Sequence, residues 1–202
     1  MNLKLVLSFA LLIAAVVGPL VFFAWLVFGT ETFLVQVITV VDARPHVTSA
    51  VQRLVEQELL SQGQRPTIFF VHTERLERLI HEQFPSVRNV LVQRQLPGII
   101  KVVIQEKTPA LLLLTHGAYY FVDESGVAYE RAELSLLPGI VLQTVKNKDT
   151  SGEVTIGKPV QEAVFVTFVQ EIQAALPQRV GAEVVEMYIP SLAAREVSFR
   201  MS

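Results

Sequence analysis

The sequence predicts an α+β chain: an N-terminal transmembrane helix, then a β-α-α-β-β domain, then a mostly β domain. Three observations carry this reading. Residues 5–28 form one uncharged apolar run. Between residues 33 and 107, two segments with helical apolar spacing are framed by three β-prone segments with full or partial alternation. Beyond Ala110, short β-prone stretches separated by turns dominate.

The 202 residues are 51% hydrophobic, above the range of about 45–50% for soluble domains. The run from Leu5 to Phe28 explains the excess, since only Ser8, Gly18 and Pro19 interrupt it. As a helix it would measure roughly 36 Å, enough to cross a hydrocarbon core of about 30 Å with some tilt. Trp25 sits near its end, where an indole favours the interface. A cleaved signal peptide is the alternative. Its apolar region would be about 7–15 residues and end in small residues, whereas this run is longer and closes on Trp25-Leu26-Val27-Phe28. Lys4 and the α-amine precede the run and Glu31 and Arg44 follow it. Charge therefore favours a cytoplasmic N-terminus only slightly.

The strand pattern begins at Phe33–Val41, rich in Val and Ile, and breaks at Asp42-Ala43-Arg44-Pro45. Thr48 or Ser49 is expected to cap a helix carrying Val51, Leu54, Val55 and Leu59 on one stripe, ended by Gly63 and Pro66. A second helix opens at Thr73, carries Leu76, Leu79 and Ile80, and stops by Pro85. Strands follow over Val87–Gln93 and through Ile100, Val102 and Ile104, with Arg94–Gly98 as the turn. Two amphipathic helices on one face of a three-stranded sheet make a self-sufficient unit.

Farther on, Ala110–Thr115, Ala118–Val122 and Val127–Tyr129 read as strands. His116-Gly117 and Asp123–Gly126 read as the turns between them. Leu136-Leu137-Pro138-Gly139 introduces another strand through Gln143, and Lys146–Gly157 is a polar loop. Phe165, Phe168, Val169, Ile172 and Leu176 recur at helical spacing up to Pro177, which outweighs their strand propensity. Val184–Ile189 and Glu196–Met201 close the pattern as strands.

Charge and composition narrow the function. With Lys4 set aside from the 17 basic residues, 16 face 19 acidic ones without a basic cluster, which argues against nucleic acid as a partner. The absence of cysteine removes disulfides, thiol nucleophiles and thiolate metal sites. His46, His72, His81 and His116 are scattered, with no pair at ligand spacing. No nucleophile elbow, phosphate loop or dinucleotide fingerprint appears. Glu56, Glu58, Glu74 and Glu77 fall on polar helix faces and read as solvated. The acidic turn at Asp123–Gly126 lacks the alternating oxygen ligands of a calcium loop. No catalytic, cofactor-binding or metal residue is therefore expected, and no small-molecule substrate.

Several stretches resemble the FtsQ/DivIB family of bacterial cell-division proteins. Arg94-Gln95-Leu96-Pro97-Gly98, the Val/Ile strand after it, and Glu106-Lys107-Thr108-Pro109 are similar to the hairpin and exit of that family's POTRA domain. Lys107 stands where the family has Arg. Phe84–Val90 resembles the helix-to-strand junction, and Tyr119–Val127 the opening of the family's β domain. Leu137-Pro138-Gly139 and Ala194–Phe199 resemble later steps.

The resemblance implies a cytoplasmic tail over 1–4, the membrane helix over 5–28, a POTRA domain over 31–108 and an FtsQ-type β domain over 109–202. It implies a single-pass type II protein of the bacterial inner membrane with extracytoplasmic C-terminal domains. The family's β domain continues further, so the chain is expected to be a fragment or a shortened homologue. The implied role is that of a non-enzymatic divisome scaffold in septum formation, with the FtsB/FtsL-type coiled-coil pair and the FtsK translocase as partners. In the family the FtsB-type partner adds to the final strand of the β domain, which has no counterpart here. Expected contact residues are Asn89, Val90, Val92 and Arg94 on a sheet-edge strand, and Val197, Phe199 and Met201 on one apolar face of the last strand. The rivals are a POTRA protein of outer-membrane assembly or secretion, and a membrane-anchored envelope enzyme.

Overall fold

The computed structural model describes residues 3–61, 66–133, 142–149, 153–181, 184–194 and 196–201. Among the described residues the fold is α+β, with four α-helices and two sheets. The chain forms two compact units, Met1–Gln83 with Asn89–Gln105, and Phe84–Arg88 with Glu106–Ser202.

The apolar N-terminal run is helix α1, Leu3–Phe28, with Pro19 inside it. Among the described residues no helix is long and apolar enough to cross a membrane. This overturns the expected transmembrane helix at 5–28. The single-pass inner-membrane placement, with its cytoplasmic tail and type II orientation, falls with it.

The first sheet contains β1 (Val37–Val41), β2 (Val87–Gln95) and β3 (Ile99–Glu106) in the order β1-β3-β2. Helices α2 (Pro45–Leu60) and α3 (Thr73–Gln83) lie between β1 and β2 in the chain. β1 runs parallel to β3, from Val37↔Ile99 to Val41↔Val103. The alternation of β3 places Ile100, Val102 and Ile104 in the core, and leaves Ile99, Lys101 and Val103 half-buried. Val47, Val51 and Val55 of α2 and Leu76 and Ile80 of α3 are the buried stripes of the helices.

Local chemistry moves two expected boundaries. Glu31–Phe33 is a 3-10 turn, so the first strand starts at Val37 and not at Phe33. Helix α2 starts at Pro45, with Arg44 as N-cap. Proline suits the first helical position because that N–H has no intrahelical partner. Thr48 Oγ1 instead donates to Ala43 O at 3.2 Å from inside the helix. In the turn before β3, a Cβ at Gly98 would lie 2.2 Å from Leu34 O. Only glycine fits there, and Gly98 O accepts from Gln36 N at 2.8 Å.

Among the described residues the second sheet has seven strands in the order β10-β9-β7-β4-β5-β6-β8. They are β4 (Leu111–Thr115), β5 (Ala118–Val122), β6 (Val127–Ala132), β7 (Thr144–Asn147), β8 (Lys158–Pro159), β9 (Val184–Ile189) and β10 (Ser198–Met201). β4, β5 and β6 form an antiparallel meander, while β7 runs parallel to both β4 and β9. His116 and Gly117, at φ 50° and 72°, make the tight β4–β5 turn.

Helix α4 (Ala163–Val180) sets Phe165, Val166 and Val169 against Leu111, Leu113, Val122, Val145, Met187 and Ile189. Leu112, Phe121, Tyr129 and Ala132 form a smaller separate cluster. β4 therefore feeds alternate residues to two clusters, which is why Leu111–Leu114 reads as a continuous apolar run. Phe168, which the helical spacing sets on the apolar stripe with Phe165 and Val169, is 45% exposed, because Val166 and Val169 take the inward face. The helix continues past Pro177 to Val180 and ends at Gly181, whose φ of 70° suits a C-terminal cap. β7 takes Lys146 and Asn147 from the expected polar loop. The strand expected from Leu136 lies, over residues 134–141, outside the described residues.

Val102, with no exposed surface, sits on the central strand of the first sheet. Burying an unpaired carboxylate there costs several kcal/mol, comparable with the ~5–15 kcal/mol stability of a whole domain. Val102→Asp is expected to unfold the first unit and Lys101→Asp to change little, read by thermal melting. Equal melting temperatures for the two variants would refute the assigned face.

Candidate interaction surfaces

Six of the seven residues expected to bind partners fall on two outer strands, one in each sheet, and Val197 lies just before the second of them. β2 is an outer strand of the first sheet. On it Asn89 is exposed, and its Nδ2 donates to Gln105 Oε1 on β3 at 2.8 Å. Val90 is half-buried, Arg94 is exposed and Leu91 is 50% exposed. Val92 is 5% exposed, and its backbone N–H donates to Glu77 Oε1 of α3 at 2.8 Å.

A donor this buried cannot rely on water, and leaving it unmet would cost about 1–3 kcal/mol. Glu77 supplies the acceptor. Half-buried beside Leu76, it is therefore more than part of a solvated face. Its position at the border of the apolar stripe of α3 is the one sequence signal that could have flagged it. Glu58 is likewise engaged, in an ion pair with Arg75 at 2.8 Å.

β10 is an outer strand of the second sheet among the described residues. It pairs antiparallel with β9, Phe199 opposite Met187 and Arg200 opposite Glu186. Val197 lies before the strand, half-buried against the cluster that α4 covers. Phe199 is 42% exposed and Met201 half-buried. The register shifts between Arg200 and Met201, so the three apolar residues do not share one regular face.

Beside them lies a polar cluster that sequence spacing did not bring together. The Glu186 carboxylate accepts from Lys146 Nζ and from the Tyr188 hydroxyl, and pairs with Arg200 Nη2 at 2.8 Å. Lys148 Nζ sits 4.9 Å from the centre of the Tyr188 ring. The Lys146 bond, followed by the Tyr188 bond, holds the Glu186 carboxyl below its ordinary value. The same contacts push Lys146 and Tyr188 up.

Two motifs that carry the family resemblance meet in the second unit. Lys107 Nζ pairs with Asp123 Oδ2 at 2.8 Å. Asp123 Oδ1 accepts from the backbone N–H of Ser125 and of Val127, each at 3.0 Å, and from Ser125 Oγ at 2.5 Å. Burial alone would raise the Asp123 carboxyl, but the bonds from Lys107, Ser125 and Val127 outweigh it and hold the group below its usual value. Gly126 closes this turn at φ 82°, where a Cβ would lie 2.0 Å from Gln161 O. The acidic turn is thus a backbone clamp.

Beside the start of α4 a groove of about 720 Å³ is lined by Val160, Phe165, Phe168 and Leu192. Gln161, also in its lining, donates from Nε2 to Leu192 O at 2.8 Å. Among the described residues no group of three or more His, Cys, Asp or Glu could hold a metal ion. In comparisons with known proteins, no family model and no curated protein matches the chain.

Asp123→Asn keeps the turn's shape but removes the charge that Lys107 faces. The expected loss is about 1.5–3 kcal/mol at pH 7, measured by denaturant midpoint. The folded pKa lies below the usual 3.8, so this stability is present above that value and lost as pH falls through the folded one. Parent and variant should therefore converge under strongly acidic conditions. A gap that stays constant into acid would contradict the assignment.

Proposed function

We propose that this chain is a non-enzymatic scaffold of the FtsQ/DivIB kind, which recruits or links cell-division proteins during septum formation by pairing strands with them. The observation that supports this best is β2, a nine-residue outer strand with Leu91 half exposed. An outer strand can add an extended segment of another protein through backbone hydrogen bonds, with alternate side chains selecting the sequence. The motif resemblance supplies the partner class, the FtsB/FtsL-type coiled-coil pair and the FtsK translocase. β10 offers a second surface of the same type. Such a protein acts by position, holding partners together at the septum.

The test has a cellular and a molecular arm. Depletion in the native bacterium is expected to give filamentous, undivided cells. Altered wall composition with normal septa would instead favour an envelope enzyme. In strand geometry Val90 shares the parity of Val92, so its N–H points out from the sheet, and proline is tolerated at such an edge position. Val90→Pro is expected to weaken capture of the FtsB/FtsL-type pair or of FtsK by about fivefold to tenfold, the worth of one hydrogen bond. Melting should change little. Undiminished capture of every divisome partner would count against β2 as the surface.

A further inference from the structure

The Glu77–Val92 bond sets a condition on any strand that joins β2. Val90, Val92 and Arg94 share the outward parity of this edge. The middle donor is already taken, since the Val92 N–H gives its bond to Glu77 Oε1 at 2.8 Å. An added strand can run past Val92 only when one of its own carbonyls replaces that carboxylate. The displaced carboxylate is half-buried, and among the described residues it has no ion-pair partner. Arg75, on the same helix, is held by Glu58. Leaving a carboxylate half-buried and unpaired is costly, so the incoming segment must supply what Glu77 loses.

Strand geometry fixes which residue of that segment can do so. In antiparallel addition the residue opposite Val92 exchanges both backbone bonds with it, and therefore owns the carbonyl that displaces Glu77. Residues directly opposite each other turn their side chains to the same face of the sheet. Val92 is buried on the face that α3 covers, so the opposing side chain emerges beside Glu77. Taking β2 as the recruiting strand argued above, we propose that this edge selects an extended segment with lysine or arginine opposite Val92. The backbone of that residue takes the Val92 N–H, and its side chain takes the released carboxylate. An acidic residue there sets like charges together and is rejected. Arg94, two residues along the same edge, disfavours a second cation in its own opposing position. The selected segment is thus one basic residue among neutral ones.

The test uses synthetic strands, so it depends on no division protein. Three end-blocked peptides of seven residues alternate threonine and valine, and carry lysine, norleucine or glutamate at the centre on the valine face. Each is titrated onto the full-length chain and onto full-length Glu77→Gln, which keeps an oxygen acceptor but no charge. Occupancy is read from amide exchange at Val90 and Arg94, because the Val92 amide is bonded both before and after addition. On the parent the lysine peptide is expected to protect Val90 and Arg94 at about fivefold lower concentration than the norleucine peptide, with the glutamate peptide weakest. On Glu77→Gln the lysine and norleucine peptides should converge to within about twofold. Equal binding of these two peptides to the parent, or a lysine preference that survives in Glu77→Gln, would overturn the selection while leaving β2 as a strand-accepting edge. Protection of Val90 and Arg94 by none of the peptides at millimolar concentration would overturn both the selection and β2 as the recruiting surface.

Discussion

A sheet that does not close on itself leaves one side of its outer strands without a strand partner, and each buried backbone group left unmet there costs about 1–3 kcal/mol. That constraint organises both units. In the first, the α-helical layer covers β2 closely enough to bury Val92, and Glu77 of α3 meets the donor that burial cuts off from water. In the second, one end of the sheet is blunted. β8 is two residues long, carries Pro159, and pairs with β6 only through Ala128 and Val127. The other described end, β10, carries its own polar set, with Arg200 pinned to Glu186.

The residues with the most specific sequence patterns turn out to serve the backbone. Gly98 permits a 2.2 Å approach to Leu34 O, and Gly126 a 2.0 Å approach to Gln161 O, that a Cβ would forbid. Lys107 and Asp123, from motifs sixteen residues apart, form one ion pair that anchors the turn opening β6. These features explain why the motifs look as they do without invoking chemistry on a substrate. They also leave partner recognition to strand edges and faces, where composition is ordinary and motif searching has little to detect.

Strands and helices were largely legible because burial is one-sided. β3 alternates as Ile100, Val102 and Ile104 require, and the stripes of α2 and α3 recur at helical spacing. Phe165–Val169 was ambiguous by propensity, and the 3.6-residue period resolved it as helix α4. What failed depended on length or on distant contacts. The apolar run at 5–28 suggested a membrane span, yet no helix among the described residues meets that requirement. Phe168 carries the right residue type for a core but lies off the inward face. Glu77 reads as one more surface carboxylate, because nothing local shows that Val92, far along the chain, will need its oxygen. The Glu186 cluster, drawn from β7, β9 and β10, was invisible for the same reason.

The account's central claim is that the outer strands are the working surfaces. The most direct measurement is residue-resolved amide hydrogen exchange of the full chain with and without the FtsB/FtsL-type pair. Strand addition protects alternate backbone donors on one edge, so protection is expected to rise at Val90 and Arg94 on β2, or along Phe199–Met201 on β10, while helix amides are unchanged. Protection confined to α4 and the groove beside it, with both outer strands exchanging as before, would contradict the account.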